Sequence, residues 1–147
     1  MAMARLDRES VVAHLADLEE AVAVLRRAAA WTASDLAGDT ARLWVVAHGL
    51  QVAIQNVVDI SAHVGAALRA GAAADDYRDA ILALGSLGVL DTAFVARIAP
   101  MAGLRNIIVH GYLRLEAARL VDALGQLDDF ATFARGIDAF LAQNPDL

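Results

Sequence analysis

The segment from Thr40 to Ala70 most constrains the fold of this chain. Its pattern predicts one long helix with apolar side chains on more than one face. These side chains are Leu43, Val45, Val46, Leu50, Val52, Ile54, Val57, Val58, Ile60 and Val64. Such a helix must be buried on several sides, and a single small domain rarely encloses a central helix completely. The segment therefore predicts a helical bundle that forms a homodimer.

The composition favours an all-α fold with one core. Alanine and leucine dominate an apolar fraction of 59%, aromatic residues make up 5%, and proline occurs only at Pro100 and Pro145. Helix propensity is therefore high and strand propensity low. A chain of 147 residues can bury a sufficient core without disulfides. We expect a single all-α domain over residues 1–147.

Capping residues and apolar periodicity divide the chain into about five predicted helices. Their approximate bounds are Arg8 to Ala30 after an Asp7 cap, Thr40 to Ala70 after an Asp39 cap and before Gly71, Asp75 to Leu87 before Gly88, a fourth helix after an Asp91 cap, and Glu116 to Gln143. The stretch from Trp31 to Asp39 predicts a loop. Pro100 predicts that the fourth helix kinks or restarts there.

Several classes of function conflict with the sequence. The absence of cysteine excludes disulfides, thiolate nucleophiles and cysteine-rich zinc sites, and the histidine spacing argues against other metal sites. The N-terminus, MAMARLDRES, has no apolar signal region, and the uncharged run from Leu43 to Val58 contains several polar side chains. We therefore expect a cytoplasmic protein that does not span a membrane. The net charge of −6 implies that any contact with RNA is local.

The segment MAGLRNIIVHGY, from Met101 to Tyr112, is the best candidate for chemistry. Arg105 can hold a phosphate by forked hydrogen bonds, histidine moves protons near neutral pH, and Tyr112 offers a hydroxyl. On an ideal helix Arg105 and His110 point about 140° apart. Either a break at Gly111 brings them to one cleft, or a second subunit completes the site, and the spacing favours a site built by two chains.

A second polar cluster lies on the long helix, where Asn56, Asp59 and His63 share a face. One interpretation is that Asp59 and His63 form a pair that satisfies itself in the core. The other is that Asn56 or Asp59, and Asp59 before Asn56, orients Arg105 or His110. His14 and His48 are interpreted as structural or exposed histidines.

The segment from Gly103 to Tyr112, G-L-R-N-I-I-V-H-G-Y, resembles the signature of HepT-like toxins in the HEPN superfamily. That signature is Arg-Asn, three mostly apolar residues, His, any residue and Tyr. It is matched here by Arg105, Asn106, His110 and Tyr112. The resemblance extends over Leu50 to His63 and Tyr77 to Leu90, and thus over most of residues 5–143.

The resemblance implies an HEPN-type, dimeric helical bundle that cleaves RNA, such as tRNA or mRNA, without a metal or cofactor. Arg105 and His110 would be catalytic, with Asn106, Tyr112 and Asp59 as auxiliary residues. It further implies a type VII-like toxin–antitoxin pair, in which an MntA-like nucleotidyltransferase neutralises the toxin by AMPylation of Tyr112. The alternatives are a non-catalytic module that binds a nucleotide or docks on a nucleotidyltransferase, and a purely structural dimer.

Overall fold

A computed structural model describes residues 5–69, 76–111 and 116–147, and all regular structure within them is helical. The all-α prediction is therefore confirmed. In chain order the helices are α1 (Arg8–Ala28), α2 (Ala33–Ala37), α3 (Thr40–Leu68), α4 (Tyr77–Ser86), α5 (Thr92–Ile98), α6 (Met101–His110), α7 (Ala117–Leu124) and α8 (Leu127–Gln143).

The long helix α3 is the centre of the bundle, as its sequence predicts. It contacts α1, α2, α4, α6, α7 and α8. Successive turns bury large side chains almost completely, with Leu50, Ile54 and Ile60 each at most 1% exposed. By length and composition both α3 and the stretch Thr92–His110 would suffice to cross a membrane, but 56% of the apolar window of α3 is buried in the bundle. That burial is typical of a core helix.

Aspartate caps begin α1, α3 and α5 at the predicted positions. The side chains of Asp7, Asp39 and Asp91 each accept a hydrogen bond from a backbone N–H in the first turn that follows. Helix α4 is capped in the same way by Asp76. The predicted stop at Gly71 and the predicted start at Asp75 lie outside the described residues. After α4, Gly88 adopts a φ of 77°, which favours glycine.

The predicted loop from Trp31 to Asp39 is wrong in part, because it contains the short helix α2. Thr32 accepts a hydrogen bond from the backbone N–H of Asp35, whose carboxylate accepts one from the N–H of Thr32. This capping box starts a helix that buries Leu36 at 1% exposure. The pKa of Asp35 is lowered. The largest cause is the hydrogen bond from the Thr32 backbone, and the next largest is the hydrogen bond from the Thr32 side chain.

The predicted single C-terminal helix is also wrong, because it is divided into α7 and α8 at Gly125 and Gln126. The backbone N–H of Gly125 closes the end of α7. The division lets α7 pack against α2 and α3, whereas α8 packs against α1 and α3. One straight helix would not bury Leu120 and Phe133 against these different neighbours, so tertiary packing overrides the continuous apolar pattern.

Candidate active site

Helix α6 carries the candidate motif, and both of its ends follow from local sequence. Pro100 stands at its N-cap with a φ of −60°, and α5 ends just before it at Ile98. The predicted restart at this proline is confirmed. At the other end the backbone N–H of Gly111 bonds to the carbonyl of Ile107 at 2.8 Å. The helix therefore presents Arg105 and Asn106 in its middle and His110 at its last residue.

Arg105 is half-buried and held on three sides. Its Nε donates to Oε1 of Gln55 on α3 at 2.9 Å, and its Nη1 donates to Oδ1 of Asn106 at 3.3 Å. Its Cζ lies 5.1 Å from the ring centroid of Tyr77 at the start of α4, within range of a cation–π contact. Three helices therefore position one guanidinium group at the surface of the bundle.

Asp59 is connected to Arg105 through Gln55. Its Oδ1 accepts a hydrogen bond of 2.8 Å from Nε2 of Gln55. Both residues are half-buried on α3. Gln55 was missed as a site residue, although glutamine and aspartate four residues apart on a helix are known to pair. Tyr77 was also missed as a site residue, although it lies in a segment that carries the family resemblance.

Asn56 faces α1 and not Arg105. Its Oδ1 lies 2.9 Å from Nδ1 of His14, and its Nδ2 donates to the carbonyl of Val52. The predicted structural role of His14 agrees with this contact. The ring of His63 lies 5.8 Å from that of His14, centroid to centroid, while Asp59 pairs with Gln55. The expected Asp59–His63 pair does not form among the described residues, and Asn56 does not orient Arg105.

His110 is exposed at the C-terminal end of α6. No hydrogen bond joins it to Arg105 or to any other side chain in the part of the chain that the structure describes. Tyr112 lies outside the described residues. The structure of one chain therefore agrees with the helical geometry, in which arginine and histidine point in different directions.

An apolar groove of about 300 Å³ lies between α3 and α6, and its lining includes Ile108 and Val109, which precede His110 in the sequence. We call it the Trp44 face, and its lining residues are Leu43, Trp44, Ala47, His48, Gln51, Ile108 and Val109. Trp44 is 66% exposed. A large apolar side chain at such exposure in an apolar groove indicates an interaction surface.

The arrangement offers one fixed cation and one exposed imidazole on the same short helix. Arginine binds phosphate oxygens in forked geometry, and histidine can accept or donate a proton. Within residues 5–69, 76–111 and 116–147, no three histidine, aspartate or glutamate side chains group closely enough to hold a metal ion. Arg105 and His110 can therefore bind an anion and transfer a proton.

The bundle has the fold of HEPN toxins. A tri-AMPylated HEPN toxin of Shewanella oneidensis, solved in complex with its MNT antitoxin, superposes with a TM-score of 0.77 over 88% of this chain and 96% of that chain, at 22% identity. A toxin–antitoxin structure with AMP-PNP gives a TM-score of 0.75 over 86% of this chain and 96% of the other, at 21% identity. The HEPN fold class is thus confirmed.

Comparison of sequences assigns the chain to one family within the HEPN fold class. The Ribonuclease HepT-like family matches residues 18–137, and this chain belongs to that family. A relative named tRNA nuclease HepT, from Aphanizomenon flos-aquae, is 29% identical over 93 residues. That alignment covers 63% of this chain and 63% of the relative, so this chain spans under two thirds of the relative's length.

Proposed function

We propose that this chain is a cytoplasmic ribonuclease toxin that cleaves RNA without a metal ion, with Arg105 and His110 as its catalytic residues. The observation that carries the proposal is the anchoring of Arg105 on α3 through Gln55, in a chain of the Ribonuclease HepT-like family. A half-buried arginine fixed at Nε is suited to bind one phosphate in a defined orientation.

The proposed reaction uses the 2′-hydroxyl of the RNA itself. The 2′-oxygen attacks the adjacent phosphorus while its proton passes to a base, the bond from phosphorus to the 5′-oxygen breaks, and that oxygen takes up a proton. The products are a 2′,3′-cyclic phosphate and a 5′-hydroxyl. His110 serves the proton transfers, and Arg105 stabilises the negative charge that develops on the phosphorane.

The functional unit in this proposal is a homodimer that forms through the Trp44 face. This groove exposes a tryptophan on α3 and includes Ile108 and Val109 of α6, so His110 follows it directly in the sequence. A second copy seated there lies beside the histidine and can complete the cleft. This arrangement accounts for the different directions of Arg105 and His110 within one chain.

The proposed partner is an MntA-like nucleotidyltransferase that transfers AMP from ATP to the hydroxyl of Tyr112, with release of pyrophosphate. Support comes from the Shewanella oneidensis toxin, which is AMPylated in its complex with an MNT antitoxin. Tyr112 lies two residues beyond His110 in the sequence. A phosphodiester there adds bulk and negative charge next to the histidine and repels RNA.

The ribonuclease proposal predicts cleavage of tRNA or an mRNA transcript by the purified protein in excess EDTA. The protein must be free of nucleotidyltransferase, and the products should end in a 2′,3′-cyclic phosphate, which mass spectrometry identifies. A requirement for added Mg²⁺ would contradict the metal-independent reaction. Absence of cleavage together with a stable nucleotidyltransferase complex would favour the docking module.

The AMPylation proposal predicts a mass increase of one or more AMP units after incubation with an MntA-type nucleotidyltransferase and ATP. The chain contains two tyrosines, which provide a matched pair of variants. We expect Tyr112→Phe to abolish the added mass and Tyr77→Phe to retain it, as measured on the intact protein. AMP on Tyr77, or on neither tyrosine, contradicts the assignment.

A further inference from the structure

Gln55 stands between a group that only donates hydrogen bonds and a group that only accepts them. Its Oε1 accepts from Nε of Arg105 at 2.9 Å, and its Nε2 donates to Oδ1 of Asp59 at 2.8 Å. All three side chains are half-buried at the contact between α3 and α6. The three residues form a continuous chain of hydrogen bonds from the carboxylate to the guanidinium.

The two neighbours leave the Gln55 amide with one favourable orientation. A carboxylate accepts and a guanidinium donates, so the amide must turn its nitrogen to Asp59 and its oxygen to Arg105. The reversed amide would place an oxygen against the carboxylate and an amino group against the guanidinium, and both contacts are repulsive. Asp59 thereby determines that Arg105 contacts the amide oxygen of Gln55 and not its nitrogen.

Arg105 is in turn held at two of the three nitrogens of its guanidinium group. Nε is directed at Gln55 and Nη1 at Asn106, and Tyr77 lies against the guanidinium plane. Nη2 has no hydrogen-bond partner among the described residues, so it is the nitrogen left to donate to a phosphate. A guanidinium held in this way loses little further freedom when it binds a phosphate.

We propose that Gln55 is a positioning residue that orients Arg105 toward the scissile phosphate, with its amide orientation set by Asp59. This inference deepens the proposed ribonuclease function and rests on it for the activity measurements. In this proposal Asp59 does not contact Arg105 directly. The side chain between them must present an acceptor to Arg105 and a donor to Asp59.

The requirement for an acceptor facing Arg105 and a donor facing Asp59 can be tested with three variants. Gln55→Leu removes the anchor, and we expect kcat for RNA cleavage to fall about 10- to 100-fold with little change in KM. Gln55→Glu places a carboxylate against that of Asp59 and should also be impaired. In the double variant Gln55→Glu with Asp59→Asn, the asparagine donates to the glutamate and the glutamate accepts from Arg105, so activity should recover toward that of the wild type.

A second measurement does not depend on catalysis. In the ¹⁵N-labelled protein the Nε proton of Arg105, assigned by its loss in Arg105→Lys, should exchange with water more slowly than that of the exposed Arg27. This protection should disappear in Gln55→Leu and return in the double variant. Thermal denaturation of each variant shows whether the protection is lost at Arg105 alone or because the protein unfolds.

The outcomes distinguish the two proposals. If the wild-type protein cleaves no RNA but the exchange pattern is as stated, the anchoring of Arg105 by Gln55 and Asp59 stands and the ribonuclease proposal fails. If RNA is cleaved and Gln55→Leu retains the wild-type kcat, the positioning role is overturned. It is also overturned if exchange at Arg105 is unchanged in Gln55→Leu, or if the double variant recovers neither kcat nor protection.

Discussion

Alanine in place of His110 should lower the rate of RNA cleavage by about 100- to 10,000-fold, the range that loss of a general acid–base group produces. The side chain is exposed at the end of α6 and makes no hydrogen bond with the described residues. The variant should therefore keep the melting temperature of the wild type. Single-turnover cleavage of a labelled RNA, measured beside thermal denaturation, separates lost chemistry from lost folding.

A substitution of Arg105 tests the other proposed catalytic residue. Arg105→Lys retains the positive charge but loses the forked geometry and the Nε donor that Gln55 accepts, so cleavage should fall in this variant as well. His63→Ala is the matched control, because His63 is another exposed histidine, on α3, and should cleave at the wild-type rate. Undiminished cleavage by His110→Ala would remove that residue from the mechanism.

The second large effect is expected from Trp44→Asp, which should convert a dimer into a monomer. A tryptophan at the centre of an interface commonly contributes about 2–4 kcal/mol, or about 30- to 1,000-fold in the dissociation constant. Trp44 is 66% exposed in the single chain, so the monomer should remain folded. Sedimentation equilibrium over a range of concentrations measures the change.

Val12→Asp is the control for this dimer prediction. Val12 is 55% exposed on α1 and is not part of the Trp44 face, so the same new charge there should leave the dimer intact. If the cleft is shared, Trp44→Asp should also reduce RNA cleavage at low protein concentration without touching Arg105. A wild-type protein that is monomeric at every concentration, or a dimer unaffected by Trp44→Asp, would contradict the proposed interface.

The helical class and most helix starts could be predicted because they depend on neighbours in the sequence. Asp7, Asp39 and Asp91 each cap a helix by bonding to a backbone N–H within the next three residues. Pro100 interrupts a helix wherever that helix packs. Of the two wrong predictions, the missed α2 begins at a capping box that is local in sequence, Thr32 with Asp35. The undivided C-terminal helix concerns a division that depends on packing against other helices.

The candidate site also contains residues that are close in sequence and residues that only the packing of helices brings together. Arg105, His110 and Tyr112 are predicted from their spacing in one segment and Asn106 from the family resemblance, whereas Gln55 and Tyr77 reach Arg105 from two other helices. The Asp59–Gln55 hydrogen bond has a local spacing, but its connection to Arg105 crosses about fifty positions in the chain.

The all-α class, the central position of α3 and the helix that carries the arginine and histidine can be read from the sequence, because apolar periodicity, caps and proline act over a few residues. It takes the tertiary structure to show which side chain holds Arg105, that Asn56 faces α1, and that Trp44 is exposed. These features depend on how each helix is rotated against its neighbours. That rotation is determined by the packing of the whole core and not by any single segment.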